Sequence, residues 1–147
     1  MILISHRGNI NGEQPGMENM PEYIEDTLKK GYDVEVDVWY KNGFYLGHDN
    51  PTYGIDVTFL QRPEIWCHAK NLEALTEMKK YSNIHYFWHQ NDDVTLTSRE
   101  FMWVMPGKQP LCDSIAVLPE LNNEDVSQSI GVCSDYIEKY KKRNGKK

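Results

Sequence analysis

The first third of this 147-residue chain contains two histidines, two carboxylates and an arginine that could take part in catalysis or ligand binding. They are His6, Arg7, Glu35, Asp37 and His48, and each lies in or beside a stretch with the composition of a β-strand. Carboxylates can ligate a divalent cation, histidines transfer protons near neutral pH, and arginine binds phosphate oxygens. The set is suited to acid–base chemistry on a phosphate ester beside a bound metal ion.

Glu35 and Asp37 alternate with Val34, Val36 and Val38, so both carboxylates are expected on one face of a strand. Two carboxylates on a face covered by helices are costly without a counter-charge. A divalent cation would supply that charge, and carboxylate oxygens suit Mg²⁺, Ca²⁺ or Mn²⁺. The alternative is a half-exposed edge strand whose acids are solvated.

His68 and Lys70 share a face near the end of the next long predicted strand. If this strand neighbours the one with the carboxylates, His68 completes a metal site with Glu35 and Asp37 that leaves positions open for water and phosphate. The alternative is a hydrogen-bonded core histidine and a lysine whose ammonium group reaches solvent.

His6 and His48 fall where their predicted strands end, and catalytic groups of parallel α/β folds gather at the carboxyl ends of strands. Two imidazoles on opposite sides of a phosphodiester can act as general base and general acid. Arg7 offers a fork of donors to phosphate oxygens, and the alternative is a surface salt bridge with Glu18. His89 is a weaker candidate for the same site.

Predicted strands alternate with helices or tight loops along the sequence, which indicates an α/β fold with a largely parallel sheet. Strands are predicted at 1–5, 34–40, 44–46, 65–69, 84–88, 101–105, 114–118 and 130–133, and helices from about 20 to 30, at 72–81 and from about 136. The chain is short for an ordinary eightfold (β/α) barrel. We therefore expect a small TIM-like barrel with several outer helices shortened or missing, over residues 1–138, followed by a basic tail at 139–147.

Composition disfavours several classes of function. The formal net charge of −6 argues against nucleic acid as a partner. No apolar run approaches the roughly 18 residues of a transmembrane helix, and the first residues lack a signal-peptide pattern, so we expect a cytoplasmic protein. The spacing of Cys67, Cys112 and Cys133 predicts no disulfide and no cysteine-ligated zinc site, and we expect buried free thiols.

Four short motifs, taken in order, resemble those of the glycerophosphodiester phosphodiesterases, which belong to the phospholipase-C-like phosphodiesterases. The motifs are His6-Arg7-Gly8, Glu18-Asn19, Glu35-Val36-Asp37-Val38 and His48-Asp49. The match covers about residues 1–50 and extends more loosely through His68-Ala69-Lys70 to Ser134-Asp135. The resemblance implies a TIM barrel, a divalent metal that is usually Mg²⁺ or Ca²⁺, His6 and His48 as the acid–base pair, and Glu35 and Asp37 as metal ligands.

The chain departs from that family in two ways. In the family the third strand carries an acid, one further residue and a lysine, whereas here His68 replaces the acid and Lys70 is retained. A neutral ligand weakens hard-cation binding and shifts the preference toward Mn²⁺, Zn²⁺ or similar ions. Only residues 50–63 separate His48-Asp49 from the next predicted strand, so the family's usual insertion for recognising the alcohol is largely absent.

We therefore expect a metal-dependent phosphodiesterase that acts on a glycerophosphodiester-like or related small phosphodiester, with Arg7 and Lys70 binding phosphate oxygens. By resemblance, the substrate's own hydroxyl is a candidate attacking group. The alternatives are a non-catalytic phosphate- or metal-binding module on the same fold, an interaction domain that uses its basic tail, and a metal-independent lyase similar to bacterial phosphatidylinositol phospholipase C. Missing outer helices would leave apolar faces that favour a homo-oligomer.

Overall fold

The structure is a computed structural model that describes residues 1–145, with side chains described for residues 1–141. The described part is mixed α/β, with ten strands, four α-helices and one 3-10 helix. The strands are β1 (Ile2–His6), β2 (Asp33–Tyr40), β3 (Phe44–Leu46), β4 (Tyr53–Ile55), β5 (Ile65–Ala69), β6 (His85–Trp88), β7 (Val94–Leu96), β8 (Met102–Val104), β9 (Ser114–Val117) and β10 (Gly131–Ser134). The α-helices are α1 (Pro21–Lys29), α2 (Val57–Leu60), α3 (Leu72–Met78) and α4 (Ile137–Gly145), and the 3-10 helix is Pro119–Leu121.

Seven strands run parallel in one sheet, in the order β6-β5-β2-β1-β10-β9-β8. Strand β7 adds antiparallel to β8, and β3 and β4 form an antiparallel extension on the last residues of β2. The register places His6 beside Glu35 and Asp37 beside His68. The parallel arrangement therefore brings the ends of β1, β2 and β5 to one edge of the sheet, where the predicted site residues lie in neighbouring positions.

The sheet is strongly curved, because side chains from distant strands meet on one of its faces. Trp66 on β5 and Trp103 on β8 have ring centroids 5.6 Å apart, although five strand-to-strand steps separate β5 from β8. Those steps would span about 24 Å in a flat sheet. The rings pack in an apolar cluster with Ile4, Phe87 and Ile115.

The opposite face of the sheet is covered by helices. Val34, Val36 and Val38 of β2 are buried there in a cluster that includes Ile24 of α1 and Met78 of α3. The alternation predicted for this strand is confirmed, because Glu35 and Asp37 then lie on the concave face. Both faces of β2 are buried, so the alternative of an edge strand with solvated acids is wrong.

Helix α3 is shorter than the 72–81 segment predicted from sequence. The Asn71 side chain caps its start by accepting a hydrogen bond from the Ala74 amide at 2.9 Å, and the helix ends at Met78. Leu72 is 63% exposed because it lies in the first turn, beyond the packed part of the helix. The Asn42-Gly43 pair, which is typical of hairpin turns, joins β2 to β3.

Helix α4 crosses the boundary that the sequence suggested between residues 138 and 139. Tyr140 is 7% exposed and packs in a cluster with Ile137 and Val132. Tyr140 of the expected tail is thus packed against the fold, whereas Lys139 and Lys141 beside it are exposed, and residues 146–147 lie outside the described residues.

Some short elements were not predicted. Strands β4 and β7 have three residues each, and helix α2 has four. Buried thiols are confirmed for Cys67 and Cys133, but Cys112 is exposed and donates a hydrogen bond to the Gln128 amide oxygen. None of the helices within residues 1–145 has the length and apolar character that a membrane span requires.

Candidate active site

Two neighbouring strands place a Glu, an Asp and a His around one point. Glu35 and Asp37 extend from β2, and His68 extends from the neighbouring β5. One ligand atom from each residue lies within 4.8 Å of the other two. His68 Nδ1 is 3.2 Å from Asp37 Oδ1 and 3.9 Å from Glu35 Oε2. The arrangement brings together all three residues that were predicted to hold a metal ion.

This cluster fits a divalent cation. An ion with ligand bonds of about 2.1 Å holds its donors about 3.0–3.4 Å apart, close to the separations seen here. The Asp37 side chain is 1% exposed, and Glu35 is almost as deeply buried. Glu35 Oε1 is buried with no hydrogen-bond partner among the described residues. A buried acceptor without a donor is costly, and a cation would satisfy it.

The two carboxylates have opposite electrostatic settings. Burial, reinforced by the charge of Asp37, raises the pKa of Glu35 to about 7. Burial also disfavours the charged form of Asp37, but the close approach of the His48 and His68 imidazoles and the charge of Arg7 outweigh it and hold the Asp37 pKa well below its usual range. Asp37 therefore carries a negative charge, and Glu35 beside it can bind or release a proton near neutral pH.

Asn19 fixes the orientation of Asp37. Its amide group donates to Asp37 Oδ2 at 2.9 Å, and its carbonyl oxygen accepts from the Asp37 backbone amide at 2.9 Å. Both residues are buried. The loop between β1 and α1 therefore positions the Asp37 carboxylate, which belongs to β2.

Arg7 follows β1 directly and contacts three groups of the site. Its Nε lies 3.0 Å from Asp37 Oδ2, its Nη1 donates to Glu18 at 3.2 Å, and its Nη2 donates to His48 Nδ1 at 2.7 Å. The salt bridge with Glu18 that sequence offered as an alternative is present, and it lies inside the site. Arg7 has a positive φ of 60°, a conformation that non-glycine residues adopt mainly where surrounding contacts enforce it.

His48 is held over Arg7 by a tight loop. Its side chain is 46% exposed, more than the side chain of Arg7 or of any other predicted catalytic or metal-binding residue. Gly47 precedes it with a φ of +157°, and a Cβ at Gly47 would overlap the backbone oxygen of Asn50. The Gly47 carbonyl accepts a hydrogen bond from the Trp39 indole at 2.7 Å, which ties the loop to β2.

His6 belongs to a hydrogen-bond network that spans the chain. Its Nδ1 donates to Asp135 Oδ1 at 2.8 Å, and its Nε2 lies 3.8 Å from Glu35 Oε1. Asn9 donates to both Asp135 and Glu18, so it joins the histidine network to the arginine network. Burial lowers the pKa of His6, but the hydrogen bond to Asp135 and the charge of Glu35 outweigh it, and the pKa lies above its usual value.

Two cavities flank these groups. The larger, of about 420 Å³, is lined by His6, Arg7, His48 and Asp135 among others. The smaller, of about 190 Å³, is lined by His68, Lys70 and His89. Asp37 links them, because its carboxylate contacts both Arg7 and His68. Lys70 therefore lies beside His68, in a different cavity from Arg7.

Asp135, Glu18, Asn9 and Asn19 were not predicted as site residues. The sequence carried a partial signal for three of them, because Glu18-Asn19 and Ser134-Asp135 belong to the motifs of the family resemblance. Asn9 follows the first motif by one residue and has no signal of its own. Comparisons with protein-family models, with curated proteins and with solved structures found no significant match to this chain.

Proposed function

We propose that this protein is a metal-dependent phosphodiesterase that hydrolyses a glycerophosphodiester-like or related small phosphodiester by two-histidine acid–base catalysis. The observation that carries the proposal is the close grouping of Glu35, Asp37 and His68, joined through Asp37 to the cavity of His6 and His48. A divalent cation held by the three ligands would stabilise negative charge on a phosphate oxygen. Mg²⁺, Ca²⁺, Mn²⁺ and Zn²⁺ are the ions to compare.

The hydrogen bonds of His6 and His48 favour different proton-transfer roles for the two imidazoles. His6 Nδ1 donates to the Asp135 carboxylate, which only accepts, so the neutral His6 ring carries its lone pair on Nε2. His48 Nδ1 accepts from Arg7, which only donates, so the neutral His48 ring carries its proton on Nε2. In the proposal, His6 is the base that deprotonates the attacking hydroxyl or water. His48 protonates the leaving oxygen from Nε2, and to release that proton it acts as the imidazolium, with Nδ1–H directed at Asp37 Oδ2, 3.7 Å away, instead of accepting from Arg7.

Arg7 and Lys70 bind the phosphate in this proposal. The guanidinium of Arg7 is already oriented by Asp37, Glu18 and His48, so little side-chain entropy is lost when a phosphate oxygen binds. Lys70 adds positive charge from the neighbouring cavity, where its ammonium group forms no ion pair with the described residues.

We also propose that the curved sheet is a small TIM-like barrel that closes between β6 and the segment around β7. The Ser98 amide donates to the Tyr86 carbonyl at 2.8 Å, and the Thr95 hydroxyl donates to the Trp88 carbonyl at 2.9 Å. The packing of Trp66 against Trp103 across the concave face supports closure. A slowly exchanging Ser98 amide in hydrogen-exchange NMR is expected, and fast exchange would contradict closure.

The test is hydrolysis of bis(4-nitrophenyl) phosphate by chelator-treated protein to which each metal ion is returned. His6→Asn and His48→Asn should each lower kcat by at least about 10²-fold. Glu35→Gln should abolish the response to metal. The matched control is Glu64→Gln, which makes the same chemical change at an exposed position just before β5.

Each outcome separates this proposal from its alternatives. Wild-type rates in both histidine variants would refute two-histidine catalysis. Activity that survives the chelator would instead support metal-independent lyase chemistry. Metal binding without any hydrolysis would support a non-catalytic binding module.

A further inference from the structure

We infer that the site of Glu35, Asp37 and His68 selects an ion such as Zn²⁺ or Co²⁺ over Mg²⁺ and Ca²⁺. The feature responsible is the imidazole of His68, which the fold holds with Nδ1 facing the two carboxylates. The inference rests on the metal site of the proposed function, but it concerns which ion binds and not whether a phosphodiester is hydrolysed.

The tautomer of His68 is set by a backbone group. His68 Nε2 lies 3.0 Å from the carbonyl oxygen of His89, which can only accept a hydrogen bond. Nε2 therefore keeps its proton, which leaves Nδ1 as the nitrogen that can give a lone pair to an ion. Without an ion, Nδ1 donates to the acceptor-only Asp37 carboxylate, and a bound ion would replace that proton. Nδ1 faces Asp37 Oδ1 at 3.2 Å and Glu35 Oε2 at 3.9 Å. A hydrogen bond from the remote ring nitrogen to a carbonyl is the usual support of a metal-binding histidine.

Packing holds the ring in this orientation. His68 stacks on Phe87 with ring centroids 5.3 Å apart and planes 5° from parallel. Phe87 is itself buried in the apolar cluster on the concave face of the sheet. Because β5 and β6 pair in register at His68 and Phe87, the ring stacks on a residue of the adjacent strand, and its carbonyl acceptor belongs to the residue that follows that strand. The imidazole is thus ordered before an ion arrives.

The charge and donor type of the site disfavour hard cations. Glu35 and Asp37 together balance one divalent ion, whereas Mg²⁺ and Ca²⁺ are bound through several oxygen ligands and respond strongly to ligand charge. Arg7 Nε lies 3.0 Å from Asp37 Oδ2 and reduces the negative potential further. An imidazole nitrogen bonds more strongly to Co²⁺ and Zn²⁺ than to either hard cation. Each of these features lowers the affinity for Mg²⁺ more than the affinity for Zn²⁺ or Co²⁺.

Calorimetric titration with Co²⁺ and Mg²⁺ tests the selectivity without any substrate. We expect Co²⁺ to bind at least about 100-fold more tightly than Mg²⁺, and His68→Glu to reduce that ratio at least about tenfold. Paramagnetic proton NMR of the Co²⁺-loaded protein gives a second measurement. It should show a strongly shifted exchangeable resonance from the His68 Nε2 proton, absent in His68→Glu. The matched control is His89→Asn, which keeps the backbone carbonyl and should keep the resonance.

An unchanged Co²⁺ to Mg²⁺ ratio in His68→Glu would overturn the inference, as would a shifted exchangeable resonance that persists in that variant. If His68→Glu does not fold, the wild-type spectrum decides, because the absence of such a resonance also overturns it. A protein that passes these tests but hydrolyses no phosphodiester would refute the proposed function alone. Hydrolysis by a protein that prefers Mg²⁺ would refute the selectivity alone, and failure to bind either ion would refute both.

Discussion

Acidification from about pH 7.5 to about pH 5 should destabilise the fold through His85, a buried histidine outside the proposed chemistry. The residue is 1% exposed, and its ring lies 4.1 Å from the Trp66 ring and 5.7 Å from the Phe101 ring. Its Nε2 is 2.7 Å from the Thr97 hydroxyl, and it forms no ion pair with a carboxylate in the described residues. Burial, joined by the positive charge of Arg99, lowers the pKa of His85 to about 4.

The sign of the effect follows from proton linkage. The ordinary histidine pKa of 6.5 applies to the unfolded chain, so between pH 6.5 and pH 4 the unfolded chain binds a proton that the folded protein does not. Stability attributable to His85 is therefore complete above pH 6.5 and is lost as the pH falls toward 4. The loss is about 2 kcal/mol by pH 5, and the whole pKa difference corresponds to about 3 kcal/mol.

Urea unfolding of the wild type and of His85→Gln at both pH values measures this contribution. Glutamine retains a polar group that can reach Thr97 but does not titrate. Other ionisable groups are shared by the two proteins, so their contributions cancel in the difference between the two pH dependences. We expect the wild type to lose about 2 kcal/mol more than His85→Gln between the two pH values. Equal losses in both proteins would refute the reasoning.

Three further substitutions test other parts of the structure. Asp135→Asn should lower kcat by at least about 10²-fold with little change in KM, because an amide donor at His6 Nδ1 moves the ring proton to Nε2; steady-state kinetics across pH measures this. Arg7→Lys retains the charge but not the three simultaneous contacts, and kcat/KM should fall about 10- to 100-fold. Gly47→Ala should cost at least about 2 kcal/mol in urea unfolding, whereas Gly54→Ala, where the nearest atom to an added Cβ is 3.6 Å away, should cost less than about 1 kcal/mol.

Each of these predictions has a result that contradicts it. A wild-type pH–rate profile for Asp135→Asn would mean that the carboxylate does not set the tautomer of His6. An unchanged kcat/KM for Arg7→Lys would remove the guanidinium geometry from the mechanism. Equal unfolding free energies for the two alanine variants would mean that the loop before His48 is not constrained by Gly47.

Much of the strand framework could be predicted because it depends on local patterns. The valines of β2 alternate with Glu35 and Asp37, and this period of two is enough to place both acids on one face. The Asn42-Gly43 turn follows from the preference of those residues for positive φ, and both adopt it. Strands β4 and β7 and helix α2 have three or four residues each, too few to form a period, and they were missed; β3 is equally short but was predicted because it follows the Asn42-Gly43 turn.

The partners of the site residues could not be predicted in the same way. Asp135 contacts His6 across 129 residues of sequence, and Asn19, which lies in a loop, forms a hydrogen bond to Asp37. These contacts depend on which strands become neighbours and on the path of a loop with no regular structure. No local pattern encodes either, and the motif signals at Glu18-Asn19 and Ser134-Asp135 identified positions without identifying contacts.

The sequence by itself determined the residue types of the candidate site and the strands that carry them, because composition and alternation depend only on nearby residues. The tertiary structure decided that Asp37 lies between Arg7 and His68, that Lys70 lines a separate cavity, and which hydrogen-bond partner each imidazole of the site faces. The physical reason is that hydrogen bonds and charge interactions act over a few ångströms in space. Only folding brings residues that lie far apart along the chain to within such distances of each other.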